Sequence, residues 1–174
     1  STAGSYCVRV ANIAGCSTTS SATIVTVNAN PPTPIITAGG AATFCSGSNV
    51  VFTSTVASGN QWVKDGTDIA GATGITYTAI NSGSYNVKTT NSFGCSSTSI
   101  PINVVVNPIP PKPIVTQSGG QLSSSASAGN QWFKDGVAIA GATSANFSTI
   151  EDGAYTVQVT NPGACSNTST AVNV

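Results

Sequence analysis

The segment Gly59-Asn60-Gln61-Trp62-Val63-Lys64-Asp65-Gly66 recurs as Gly129-Asn130-Gln131-Trp132-Phe133-Lys134-Asp135-Gly136, at a spacing of 70 residues. The same spacing relates Ile69-Ala70-Gly71-Ala72-Thr73 to Ile139-Ala140-Gly141-Ala142-Thr143, Gly83-Ser84-Tyr85 to Gly153-Ala154-Tyr155, and Cys95 to Cys165. A partial third copy, from Gly4-Ser5-Tyr6 to Gly15-Cys16, aligns with Gly83 to Cys95 at a spacing of 79. Copying of this kind restricts the chain to an array of like units. Proline-rich joints separate them: Asn30-Pro31-Pro32-Thr33-Pro34 and Asn107-Pro108-Ile109-Pro110-Pro111-Lys112-Pro113. Proline holds φ near its extended value, so short joints of this composition are semi-rigid spacers.

Three units are expected. Residues 1–29 are the C-terminal strands of a truncated repeat, whose earlier strands lie upstream or come from another chain. Residues 30–107 form a complete repeat. Residues 108–174 form a shorter one, lacking the stretch that contains Phe44-Cys45-Ser46-Gly47. Units of this size are small but sufficient for a single core.

Within a unit the signal is β. Leu, a strong helix former, occurs once, as Leu122. Tyr85-Asn86-Val87-Lys88-Thr89 and Tyr155-Thr156-Val157-Gln158-Val159 alternate apolar with polar residues, the period of a half-buried strand. Strands are expected near 34–38, 49–56, 60–64, 67–69, 75–79, 84–91 and 95–106, with Asp65-Gly66 as a type I′ hairpin turn. A Trp on a central strand facing a Tyr is the layout of an immunoglobulin-type core, and Gly-x-Tyr-x-Val matches a tyrosine corner. Trp62, Trp132, Tyr85, Tyr155 and Tyr6 are therefore the expected core residues. Val8, Val87 and Val157 stand where antibody domains carry a core cysteine, which removes the usual inter-sheet disulfide. The fold class expected is all-β: tandem immunoglobulin-like β-sandwich repeats arranged as a rod.

Composition narrows the chemistry. The chain has no His, and five Lys or Arg balance five Asp or Glu. No Ser-His or Cys-His catalytic unit and no imidazole metal site can form. No basic stretch supplies the electrostatic footprint of nucleic-acid binding. No apolar run is long enough for a membrane span. No catalytic residue, metal ligand or cofactor is assigned, and an enzyme is not expected. The absence of Met, even at position 1, suggests a processed chain or a piece of a longer one.

The pattern Gln-Trp-x-Lys-Asp-Gly-x-x-Ile-Ala-Gly-Ala-Thr, then Gly-x-Tyr-x-Val, then Gly-Cys-Ser, resembles the Ig-like repeats of large secreted and surface proteins of Bacteroidetes, including gliding-associated adhesins and multidomain exported enzymes. The resemblance covers nearly the whole chain. It implies export, by the type IX route, and a stalk, spacer or adhesive role.

Five cysteines make an odd count. The resemblance implies a bridge from Cys45 to Cys95 within one unit, since such repeats often carry both positions. Sandwich geometry favours another pairing: Cys45 and Cys95 lie at opposite ends of a sandwich some 20 Å or more long, and bridged Cα atoms are within about 7 Å. Cys45 would then reach Cys165 of the next unit, leaving Cys95 for a residue upstream. Cys7, on the outward face of its strand, is the candidate odd thiol.

Other sharp readings have bland competitors. Asp65 with Asp68 has the form of a carboxylate pair, but Asp65 is a turn residue and Asp68 is replaced by Ala138 in the other copy. Glu151-Asp152-Gly153 has too few oxygens around it for calcium and reads as a corner turn. Trp62 and Trp132 as sugar platforms compete with their place in the core. Phe93 and Phe133 are better candidates for exposed surface contacts. Asn146-Phe147-Ser148 and Asn167-Thr168-Ser169 have the form of glycosylation sequons. The expected function is structural and adhesive, at the cell surface or secreted, with neighbouring repeats, cell-surface glycans or further copies as partners. The alternatives are a glycan-binding module and a filament subunit completed by strand donation.

Overall fold

The computed structural model describes residues 2–174, and Ser1 of the expected first unit lies outside the described residues. Strand pairing falls into three separate sets. The first comprises β1 (Gly4–Tyr6), β2 (Arg9–Ala11), β3 (Ser17–Thr19) and β4 (Thr23–Val25), in two antiparallel pairs, β1 with β4 and β2 with β3.

The second set is a two-sheet sandwich. Its strands are β5 (Ile36–Ala38), β6 (Thr43–Cys45), β7 (Val50–Ser54), β8 (Asn60–Lys64), β9 (Thr67–Asp68), β10 (Thr76–Ala79), β11 (Gly83–Thr90), β12 (Ser96–Thr98) and β13 (Ile102–Asn107). One sheet has the order β10-β7-β5 and the other β6-β13-β11-β8-β9, with β12 also on β11. Burial along β7 alternates strictly: Val50, Phe52 and Ser54 point in, Val51 and Thr53 out. Both sheets supply the core of Val50, Phe52, Trp62, Ala79, Tyr85, Val87 and Val104.

The third set has β14 (Val115–Ser118), β15 (Gln121–Ser124), β16 (Asn130–Lys134), β17 (Val137–Ala138), β18 (Asn146–Ser148), β19 (Ala154–Thr160), β20 (Ser166–Thr168) and β21 (Val172–Asn173). Its sheets run β14-β15-β18 and β17-β16-β19-β20, with β21 also on β19. Leu122, Trp132, Tyr155 and Val157 form its core, with Leu122 in the place of Phe52. The chain is all-β, and the second and third units are immunoglobulin-like sandwiches.

The turn chemistry follows the sequence. Asp65 and Gly66 have φ of 51° and 80°, and Asp135 and Gly136 49° and 80°, both positive as a type I′ turn requires. Gly59 and Gly129 have φ of 76° and 77°, and a Cβ there would lie 2.5 and 2.3 Å from the carbonyl oxygens of Thr90 and Thr160. Only glycine fits, which explains why this position is glycine in both copies.

Three expectations are corrected. The single strand expected over 95–106 is two, β12 and β13. At the break Ser99 takes over the ladder: its N–H donates to the Val87 carbonyl (2.9 Å) and its Oγ accepts from the Val87 N–H (3.0 Å), while Pro101 has no N–H to give. The stretch around Cys45, which falls between the strands expected at 34–38 and 49–56, is itself a strand. Its residues pair in parallel with β13, Val105 with Thr43, Val106 with Phe44 and Asn107 with Cys45. Tyr6 is expected in a core but is 50% exposed, because among the described residues no second sheet covers β1 and β4.

Candidate functional site at the joint between units

The two Trp residues are wholly buried. Trp62 is bridged to Tyr85 by Phe52 and Tyr77, and Trp132 to Tyr155 by Phe147, with ring centroids 5.7 to 6.1 Å apart. Trp62 Nε1 donates to the Gly74 carbonyl and Trp132 Nε1 to that of Ser144, so neither indole faces a ligand. The tyrosine corners are present: the hydroxyls of Tyr85, Tyr155 and Tyr6 donate to the carbonyls of Asn81, Glu151 and Thr2 at 2.8, 2.9 and 2.9 Å. Burial pushes the Tyr85 phenol up.

Asp65 is a turn clamp. Its Oδ1 accepts the Ser84 N–H (2.8 Å) and its N–H donates to the Ser84 carbonyl (2.8 Å), with Lys64 3.0 Å away. Asp68 instead pairs with Lys88 at 3.2 Å. By register Asp68 faces Val63 and Lys88 faces Gln61, so this ion pair runs beside Val63 on the outer face of the sheet. Val63 is buried there. In the third unit Phe133, Ala138 and Gln158 take the three places, and the larger Phe133 is half-buried without an ion pair over it. Phe133, expected as a surface contact, is thus only partly available, while Phe93 is 68% exposed. Glu151 pairs with Lys134 and its carbonyl caps Tyr155, the corner reading. Of the two sequons, Asn146-Phe147-Ser148 is strand β18, and Asn167 Nδ2 donates to the Pro110 carbonyl at 3.2 Å. Among the described residues no three His, Cys, Asp or Glu side chains cluster as metal ligands. An apolar groove of about 310 Å³ between Pro34–Ile36 and Ile100–Ile102 holds no titratable group.

Polar groups converge instead at the joint between the second and third units. Cys45, at the end of β6, is bonded to Cys165, with Cα atoms 5.7 Å apart and 120 residues between them in sequence. The bridge within one unit does not form. Cys45 lies beyond one end of β11 and Cys95 beyond the other, since Val104 pairs with Gly83 and Ser96 with Thr90. Eight strand residues at about 3.3 Å each separate them by roughly 25 Å. Cys7, Cys16 and Cys95 are free among the described residues.

The proline joint is held from both sides. Asn161 Nδ2 donates to the Pro108 carbonyl (2.7 Å), Asn167 Nδ2 to that of Pro110, and Asn107 Nδ2 to that of Gly163 (3.2 Å). The Ile109 N–H donates to Ser46 Oγ (3.1 Å). Asn161 is positioned by its own turn, where its Oδ1 accepts the Cys165 N–H (3.0 Å). The joint before the second unit repeats this: Asn91 Nδ2 donates to the Ala29 carbonyl (2.9 Å) and Ser97 Oγ to that of Pro31 (2.7 Å). Sequence reading missed these asparagines. Their signal was present in the repeated Asn-x-x-Gly-Cys of Asn12, Asn91 and its variant at Asn161.

These features define an array of immunoglobulin-like β-sandwich units, in which a disulfide and hydrogen bonds join the second unit to the third and hydrogen bonds hold the joint before the second. No family model and no curated protein sequence matches the chain. Among solved structures, it is similar to fibronectin(III)-like modules of CbhA from Clostridium thermocellum, at 15% identity over 80% of this chain and 91% of that one, with a TM-score of 0.44. It is also similar to extracellular domains 3–5 of Drosophila OTK, at 17% identity over 97% and 70% of the two chains, with a TM-score of 0.42. A third similarity is to the N-terminal eight Ig domains of the Down Syndrome Cell Adhesion Molecule, at 16% identity over 97% and 30%, with a TM-score of 0.37.

Proposed function

We propose that this chain is a non-catalytic segment of a large secreted or cell-surface protein, in which the repeats act as a stalk or spacer with an adhesive role. The joint carries this reading. A proline linker pinned by side chains of both flanking units and closed by a disulfide restricts bending, which suits a rod that holds another part at a distance. The disulfide supports an oxidising, extracytoplasmic compartment. The repeat pattern supports a Bacteroidetes surface protein exported by the type IX route. The low charge supports a surface whose hydration rests on Ser, Thr and Asn and depends little on salt. The partners in this reading are the neighbouring repeats of the same parent chain.

Small-angle X-ray scattering before and after reduction tests it. The oxidised chain is expected to give one narrow distance distribution, and Cys45→Ser with Asn161→Ala a broader one. Identical distributions would remove the stalk reading.

A glycan-binding role is the second reading, favoured by the exposed ring of Phe93 beside the Asn91–Cys95 turn. Binding to insoluble polysaccharide that is lost in Phe93→Ala would support it, and equal retention of the two proteins would count against it. Filament assembly with other copies draws on the exposed apolar hairpin of residues 4–25. Concentration-dependent assembly of the chain is its readout.

A further inference from the structure

The first joint is built like the second but lacks one element. Asn91 and Ser97 hold Ala29 and Pro31 as Asn161 and Asn167 hold Pro108 and Pro110. Cys95 Sγ lies 3.7 Å from the Asn28 carbonyl oxygen, and Cys165 Sγ lies 3.7 Å from that of Asn107. At the second joint the strand beside Asn107 is β6, laid parallel to β13 with Cys45 opposite Asn107 and the Ser46 N–H donating to the Asn107 carbonyl (2.8 Å). Thr26-Val27-Asn28 are the counterparts of Val105-Val106-Asn107, and among the described residues no strand lies beside them.

The apolar face behind that joint is open to the same extent. Val8 is 66% exposed where its counterpart Val87 is 0%, and Val25 is 39% exposed where Val104 is 3%. In the second unit this face is covered by Val50, Phe52 and Ala79 of the facing sheet, with Trp62 beside Val87 in its own sheet. A further copy of these 174 residues has no such segment free, because the strands over 36–79 and 115–148 are engaged in their own sandwiches. The third unit also has no counterpart of β6.

We infer that residues 2–29 together with Cys95 form a docking site for a polypeptide segment of the same repeat type as residues 30–80. Its Trp strand pairs beside the segment of Tyr6 and Val8, as β8 does with β11, and its counterpart of β7 covers Tyr6, Val8 and Val25 from the facing sheet. Its edge strand, with a cysteine at the position of Cys45, lies parallel to Thr26–Asn28 and bonds to Cys95. The bond requires a disulfide oxidant, here oxidised glutathione. The Cys95 thiolate attacks one glutathione sulfur and expels a glutathione thiolate. The incoming cysteine thiolate then attacks Cys95 Sγ in the mixed disulfide and expels the second. Two thiols are oxidised to one disulfide, and one glutathione disulfide is reduced to two thiols. The site stands independently of a stalk role. It turns a single staple into a rule, in which the edge-strand cysteine of one unit bonds to the turn cysteine of the next.

The test joins a copy of residues 30–80 ahead of Thr2 of the full chain, with Thr43→Ser in the copy as a mass tag. The product is oxidised with glutathione disulfide and mapped without reduction. The expected result is a tagged peptide linked to the Cys95 peptide, Cys45 still linked to Cys165, and alkylation of Cys95 lower by at least about tenfold than in the parent chain. Hydrogen exchange on a second version, with the copied Cys45→Ser, is expected to show protection of Val8 and Val25 without the bond. Cys95 remaining alkylated in an oxidised product overturns the bond. Bonding of the tagged cysteine to Cys7 or Cys16 does the same. Residues 4–25 left unprotected in both versions overturn the docking site itself.

Discussion

Asn161 and Pro108 meet across the joint, with the amide Nδ2 of one donating to the carbonyl of the other at 2.7 Å, while Asn161 Oδ1 accepts the N–H of Cys165. One side chain therefore orders both the turn that carries the cysteine and the linker that the cysteine must approach. Asn161→Ala removes both bonds and is expected to cost about 1–3 kcal/mol in the third unit. Chemical denaturation, followed by Trp132 fluorescence in a Trp62→Phe background, measures it.

Ala164 has φ of 59°, in the left-handed region where the equivalent turns carry Gly15 and Gly94. A Cβ is strained there, and Ala164→Gly is expected to stabilise the third unit by about 0.5–1 kcal/mol. Its neighbour behaves oppositely. A Cβ at Gly163 would lie 2.7 Å from Asn107 Cγ, so Gly163→Ala should displace the Asn107 side chain and destabilise the joint. Calorimetry of the two variants gives shifts of opposite sign.

The tyrosine corner should matter only where a core exists. Tyr85→Phe removes a hydrogen bond from a ring that is 1% exposed and is expected to cost about 0.5–1.5 kcal/mol. Tyr6→Phe removes the same bond from a half-exposed ring and should change the melting curve little. Equal losses from the two would contradict this account.

The Ser84 N–H, and then Lys64, hold the Asp65 carboxyl below its ordinary value of 3.8. The unfolded carboxyl takes up its proton at higher pH than the folded one. The contribution of Asp65 to stability is therefore complete above about pH 4 and is lost as the pH falls through the folded value. Asp65→Asn, which keeps an acceptor for Ser84, is expected to flatten the stability of the second unit against pH below about 4. Urea midpoints between about pH 2 and 6 for both proteins test the slope.

The sequence alone determined the repeat, the alternating strands, the Asp65-Gly66 and Asp135-Gly136 turns and the burial of Trp62, Trp132, Tyr85 and Tyr155. These are local properties. Positive φ in the Asp-Gly turns and a period of two are dictated within a few residues, and copying shows them more than once. What only the tertiary structure decided depends on neighbours distant in sequence. Whether Phe133 is covered rests on what stands opposite it across two strands. Whether Tyr6 is buried rests on a second sheet that the described residues do not supply. Cys45 could be placed opposite Cys165 or Cys95 from sequence. The choice was made by β6, a three-residue strand too short to show a period, whose parallel pairing sets Cys45 opposite Asn107, the last residue of β13, within bonding reach of Cys165 in the next unit. A disulfide is selected by the few ångströms between two Cα atoms, and that distance exists only once the units have folded and met.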